Sequence, residues 1–141
     1  MSNKQSHFHP LLMIPTVLEI TREVLDASQE QLGNMKRAKD EPYLLDDHII
    51  HRSLNMYEEQ NRDSDFFLQQ CSMWKQEKLT DLQLKQVQEI ENSTQMLRKV
   101  NDQLLSILNY CKDFTINKIL EKGEMELALD VLTGKIPRPK I

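Results

Sequence analysis

The chain has 141 residues, of which 39% are hydrophobic and 28% are charged, and its formal net charge is −4. This length and balance predict one folded domain rather than a disordered chain. The acidic balance argues against a nucleic-acid-binding protein, which would carry a basic surface. With only three glycines and five prolines, and with Gln, Glu, Leu and Lys abundant, the composition favours an all-α fold.

The N-terminal part of the chain predicts an arm followed by a helix. Residues 1–13 mix polar, histidine and apolar residues without a helical period, and we expect them to form a flexible arm. Thr16 and Glu19 fit a capping box at the start of the first helix. That helix should end before Pro42, because the residue before a proline avoids helical geometry.

A second helix is predicted from Asp46 or Asp47, either of which could cap it, to a turn near Glu77. Asn61 and Ser64 place polar side chains in the middle of its apolar stripe. Such polar positions can fix the register of a helix pair at some loss of stability.

The third predicted helix runs from Leu79 to Lys122 without a proline or a glycine. Its apolar residues recur in steps of three and four, which indicates one continuous amphipathic helix of ~66 Å. A short helix from Glu124 to Thr133 follows, and Gly134 is a candidate left-handed stop. We expect this short helix to fold back and bury its large apolar residues: Met125, Leu127, Leu129, Val131 and Leu132.

These elements predict a small antiparallel helical bundle of three long helices and a short C-terminal helix, associated as a dimer. The bundle should occupy residues 14–134, between the arm at 1–13 and a basic tail at 135–141. Cys71 and Cys111 would lie too far apart along the hairpin for a disulfide, so we expect two buried thiols in a reducing compartment.

No stretch of the sequence approaches the ~18 uninterrupted apolar residues of a membrane span. Pro15 interrupts the apolar residues 10–20, and no clear cleavage site follows them. We therefore expect a cytoplasmic protein without integral membrane contact. Secretion by a route that needs no signal peptide is the alternative.

The predicted third helix is longer than its neighbours, and this mismatch predicts a binding surface. Beyond Asn109 it would extend ~20 Å past the start of the second helix, and this overhang is apolar. An exposed apolar patch of this size is typical of an interface, and two-fold dimers are the commonest assemblies. The residues predicted to contact a second copy or another protein are Leu108, Cys111, Phe114, Ile116, Ile119 and Leu120. In the alternative, the helix breaks near Asp113 and the bundle closes as a monomer.

Few residues of the sequence suggest a metal site or a catalytic site. His48 and His51 share a helix face beside Asp47 and are the candidate metal ligands, although bundle metal sites commonly use a Glu-x-x-His motif, which the sequence lacks. The sequence also lacks a glycine-rich phosphate loop, a nucleophile elbow and a Cys-x-x-Cys motif.

We therefore expect neither enzymatic activity nor a cofactor. The sequence predicts a protein–protein interaction protein, such as a dimeric adaptor, a chaperone-like protein or an inhibitory bundle, that binds itself or another protein and no nucleic acid. A metal-binding bundle that uses His48 and His51, or an accessory subunit of an enzyme, is the alternative.

Overall fold

The computed structural model describes residues 9–121 and 123–135. The helices are α1 (Ile14–Ala38), α2 (Asp47–Lys75), α3 (Asp81–Cys111), α4 (Ile116–Leu120) and α5 (Glu124–Leu132), with 3-10 turns at Leu11–Met13 and Pro42–Leu44. These two ranges contain no β-strand. The predicted all-α bundle is confirmed. No helix within the same ranges is both long enough and apolar enough to span a lipid bilayer.

The chain divides into two compact units. Unit 1 consists of residues 1–29 and 60–101, and unit 2 consists of residues 30–59 and 102–141. The three long helices each contribute residues to both units.

Unit 1 has an apolar core that the sequence pattern anticipates. In this core, α2 and α3 run antiparallel, as predicted: Cys71 lies 3.9 Å from the carbonyl oxygen of Val87, whereas Gln60 pairs with Asn101. The buried cluster is Ile14, Val17, Leu18, Cys71, Trp74, Val87 and Ile90.

The start of α3 differs from the prediction by two residues. Thr80 and Gln83 form a capping box, in which the Gln83 N–H donates to Thr80 Oγ1 at 3.1 Å and the Thr80 N–H donates to Gln83 Oε1 at 3.0 Å. These two bonds satisfy amides that would otherwise lack partners at a helix start. The helix therefore begins at Asp81 rather than at Leu79.

The prediction of one continuous helix to Lys122 is wrong. Helix α3 ends at Cys111, and a separate helix α4 begins at Ile116. Thr115 has an extended backbone and caps α4 by accepting the Lys118 N–H. The alternative break near Asp113 is the observed arrangement, because a threonine cap replaces the continuing helical hydrogen bonds.

The N-terminal segment is also more ordered than predicted. Helix α1 begins at Ile14, so Thr16 lies inside it and does not cap it; Pro15 fits the first turn, where no N–H is needed. The Trp74 indole N–H donates to the His9 carbonyl at 2.8 Å, and the His9 N–H donates to Gln70 Oε1 at 3.2 Å. The predicted flexible arm therefore does not include residues 9–13, while residues 1–8 lie outside the described residues.

The C-terminal helix confirms one prediction and contradicts another. Gly134 has φ +79°, and the Gly134 and Lys135 N–H groups donate to the carbonyls of Val131 and Asp130, which is the bonding of a Schellman stop. However, Met125, Leu129 and Leu132 are exposed rather than buried. Of the predicted basic tail, residues 136–141 lie outside the described residues.

Candidate protein-binding surface

Helix α5 presents a row of large apolar side chains to solvent. Met125, Leu129 and Leu132 are 76%, 54% and 71% exposed. Their spacing of i, i+4 and i+7 places them on one face of the helix, and we call these three residues the α5 stripe. Leu120, at the end of α4, is 75% exposed.

The opposite side of α5 packs against the protein. Leu127 and Val131 are half-buried, and Asp130 is buried. Helix α5 therefore has two apolar faces, of which one packs and the other is the α5 stripe. A helix that is apolar on several sides is normally covered on all of them, and this makes the exposure of the stripe notable.

The six residues predicted to contact a partner fall into three groups. Leu108 and Cys111 are buried in the chain itself, so the prediction that they face a partner is inconsistent with the structure. Phe114 and Ile119 are half-buried, and Phe114 packs against the ring of Tyr110 at 5.1 Å. Ile116 and Leu120 are exposed, as a contact surface requires.

The predicted overhang is absent because the start of α2 lies beside the break between α3 and α4. The Thr115 hydroxyl donates to Asp47 Oδ1 at 2.6 Å, and the Asp47 N–H donates to Asn117 Oδ1 at 2.9 Å. The Ile116 N–H donates to the Leu45 carbonyl at 3.0 Å. The sequence argument instead placed the start of α2 beside residue 108.

The first turn of α2 has the cap that the sequence offered as one of two possibilities. Asp46 Oδ1 accepts the Ile49 N–H at 2.8 Å, so Asp46 is the cap and Asp47 is the first helical residue. The two adjacent carboxylates consequently have separate roles. Asp46 caps the N-terminus of α2, and Asp47 accepts a hydrogen bond from Thr115, the residue that caps α4.

The candidate metal ligands do not form a cluster. His48 and His51 are both exposed. His51 lines a cleft of about 230 Å³ whose other charged side chains are Asp47, Asp113, Lys112 and Lys118. Two ammonium groups balance the two carboxylates there, so the cleft has no excess negative charge to favour a cation. Across residues 9–121 and 123–135, no group of three or more His, Cys, Asp or Glu side chains is arranged to hold a metal ion.

Both cysteines are free and buried. Burial raises the pKa of the Cys71 thiol to about 12, and the nearby Glu91 carboxylate adds to this effect. Burial also raises the pKa of the Cys111 thiol, although Lys39 opposes the change. Thiolates are the reactive form, so neither side chain is suited to nucleophilic chemistry.

A second apolar row lies on the outer face of α2. Ile49 and Met56 line a groove of about 510 Å³ that also includes Arg52 and Glu59. Both apolar side chains are less exposed than Met125 or Leu132, and charged residues separate them. The α5 stripe is therefore the stronger candidate for a binding surface.

The exposed stripe could have been suspected from the sequence. Met125, Ala128, Leu129 and Leu132 have one helical spacing, and Leu127 and Val131 belong to another. A nine-residue helix with two apolar faces cannot bury both against a single neighbour. The sequence does not show which face packs, because that choice depends on the tertiary fold.

Comparisons of the chain with protein-family models, with curated proteins and with solved structures found no significant match.

Proposed function

We propose that this protein is a non-catalytic protein-binding module and that the α5 stripe is its binding surface. The observation that carries the proposal is the exposure of three large apolar side chains on one face of a short, folded helix. Contiguous exposed apolar side chains on a folded protein are typical of interaction sites. The binding surface therefore moves from the predicted overhang to the last helix.

The size of the stripe is suited to reversible binding. Transfer of one large apolar side chain from water to an interface contributes ~1.5–3 kcal/mol before the costs of association. Three such side chains can form the centre of an interface but do not provide a large one. This favours an adaptor or inhibitory protein with exchangeable partners.

A protein partner fits the surroundings of the stripe better than a membrane surface. Helices that lie on membranes carry lysine and arginine on their polar face. Helix α5 instead carries Glu124, Glu126 and Asp130 and no lysine or arginine within its nine residues, and Lys135 lies just after its end. The buried free thiols support the reducing cytoplasm as the location of this activity.

Site-specific photo-crosslinking tests the proposal. A photoreactive amino acid replaces Leu132 in the full chain, and the protein is irradiated in an extract of its source cells. We expect discrete protein adducts from this position, because the side chain is 71% exposed on the stripe. Mass spectrometry of the adducts gives the partner, including any second copy of this chain.

The matched control places the same group at Gln103, which is exposed on α3 and polar. A second variant combines Leu129→Asp with the group at Leu132 and should lose most adducts. The proposal is wrong if the Leu132 position gives no adducts, or the same adducts as Gln103. It is also wrong if Leu129→Asp changes nothing while circular dichroism shows a folded protein.

A further inference from the structure

The segment that carries the α5 stripe has its charges separated along its axis. Glu121 and Glu126 are exposed near the start of α5, and Lys135 is exposed just after its end. Asp130 lies in the last turn of α5 but is buried on the packed side, away from the stripe. Acids at the start of a helix and bases at its end also agree with the helix dipole.

This polarity makes the segment complementary to itself in one orientation. In an antiparallel pair, the acidic end of one segment lies beside the basic end of the other. A parallel pair would bring like charges together at both ends, which is unfavourable. The stripe spacing agrees with an antiparallel pair, because Met125 and Leu132 lie on either side of a centre near Ala128 and Leu129.

We infer that the occupant of the α5 stripe is a second copy of this chain, with the two α5 helices antiparallel across a two-fold axis. Met125 then packs against the partner subunit's Leu132, and Leu129 lies at the centre. A two-fold pair covers both stripes and closes the assembly. This inference rests on the proposed function, since it names the partner of the same surface.

The area predicts a weak dimer. The stripe offers on the order of 100 Å² for each of its three large side chains and ~300 Å² for each chain. A pair would bury ~600 Å², which is below the ~1,200 Å² typical of stable specific interfaces. We therefore expect a dimer that dissociates on dilution through the micromolar range.

Sedimentation velocity of the full chain over about 5 to 500 µM tests the inference. Wild type should shift from monomer to dimer over this range. Leu129→Asp should weaken association at least about ten-fold, because it buries a charge at the centre of the pair. Gln103→Glu adds the same charge on α3 and should leave association unchanged, and circular dichroism checks that each variant is folded.

Charge reversal tests the orientation. Glu126→Lys or Lys135→Glu alone should weaken the dimer about three-fold, because each brings like charges together. The double variant should regain most of the lost affinity, and added salt should reduce these differences. Recovery in the double variant is expected only when opposite ends of the two segments meet.

A wild-type protein that stays monomeric at the highest concentration overturns the inference, as does a dimer that tolerates Leu129→Asp. Failure to recover affinity in the double variant overturns the antiparallel arrangement. If wild type is monomeric but the Leu132 position crosslinks to a different protein, the inference fails and the proposed function stands. If neither experiment detects binding through the stripe, both are wrong.

Discussion

At the scale of single residues, burial decides what a side chain can do. Cys71 lies at 0% exposure in the apolar cluster of unit 1, where the medium opposes formation of a thiolate. Its pKa of about 12 therefore lies well above that of an unfolded thiol. The difference means that the stability of the fold depends on pH in the alkaline range.

We expect stability to fall as the pH rises above that of an unfolded thiol, ~8.5. Between this pH and about 12, the unfolded state loses the Cys71 proton while the native state keeps it, so the unfolded state binds fewer protons and is favoured. The stability difference between wild type and Cys71→Ala should shrink by ~2 kcal/mol between about pH 7.5 and pH 10. Urea unfolding at a series of pH values measures this difference.

Ser72→Ala is the matched control, because Ser72 is exposed beside Cys71 and does not titrate. Its difference from wild type should be constant with pH. A difference for Cys71→Ala that is equally constant would contradict the role assigned to burial.

At the scale of helices, polar contacts set the register of the unit 1 bundle. Gln60 Oε1 accepts the Asn101 amide N–H at 3.0 Å and the Ser28 hydroxyl at 3.4 Å, so one side chain of α2 holds α1 and α3. Asn101 is fully buried, and its side-chain oxygen, Oδ1, has no hydrogen-bond partner among the described residues. A buried group of hydrogen-bonded polar side chains specifies how the helices align along one another, but it contributes less stability than apolar packing.

Replacing one member of the Gln60–Asn101 pair should cost more than replacing both. Gln60→Met leaves the buried Asn101 amide without its acceptor and should lower the free energy of unfolding by ~1–3 kcal/mol. The double variant Gln60→Met/Asn101→Leu should recover the part of this loss that comes from the unpaired Asn101 amide, while the buried Ser28 hydroxyl lacks its acceptor in Gln60→Met and in the double variant alike. Chemical denaturation of the two single variants and the double variant gives the coupling energy.

Gln95→Leu, at an exposed position of α3, should change stability by less than ~0.5 kcal/mol. Strictly additive effects of Gln60→Met and Asn101→Leu would show that the two side chains do not act as a pair.

At the scale of the whole molecule, each unit has its own buried side chains. The N-terminal segment completes unit 1, since His9 binds both Gln70 and Trp74 through its backbone and Leu11 packs on the core. In unit 2 the buried apolar residues are Ile50, Tyr57, Leu104, Leu108 and Cys111, and the Asp47–Thr115 bond joins the first turn of α2 to the cap of α4.

Deletion of residues 2–13 should uncover Trp74 and Ile14, which are both fully buried. We expect a red shift of tryptophan fluorescence and a loss of ~2 kcal/mol in the free energy of unfolding. His9→Ala keeps both backbone hydrogen bonds and should retain the wild-type emission. Equal emission from the deletion variant would show that the segment does not cover the indole.

Periodicity predicted the all-α fold because it records which positions are buried, but it did not show where α3 ends. Leu18, Thr21 and Ser28 share one face of α1 in the sequence, and all three are buried. The break at Thr115 was harder to predict, because its partner Asp47 is 68 residues away in the chain. The exposed stripe depends on which of two apolar faces of α5 packs, and no local pattern decides between them.

The division of the chain also separates its chromophores. The single tryptophan belongs to unit 1, and the three tyrosines, Tyr43, Tyr57 and Tyr110, belong to unit 2. Fluorescence excited at the red edge of the absorption band thus reports on one half of the unmodified protein, and the tyrosine bands of near-ultraviolet dichroism report mainly on the other. The wild-type chain therefore carries its own two optical labels, and superimposable melting curves from them would mean that both halves unfold together.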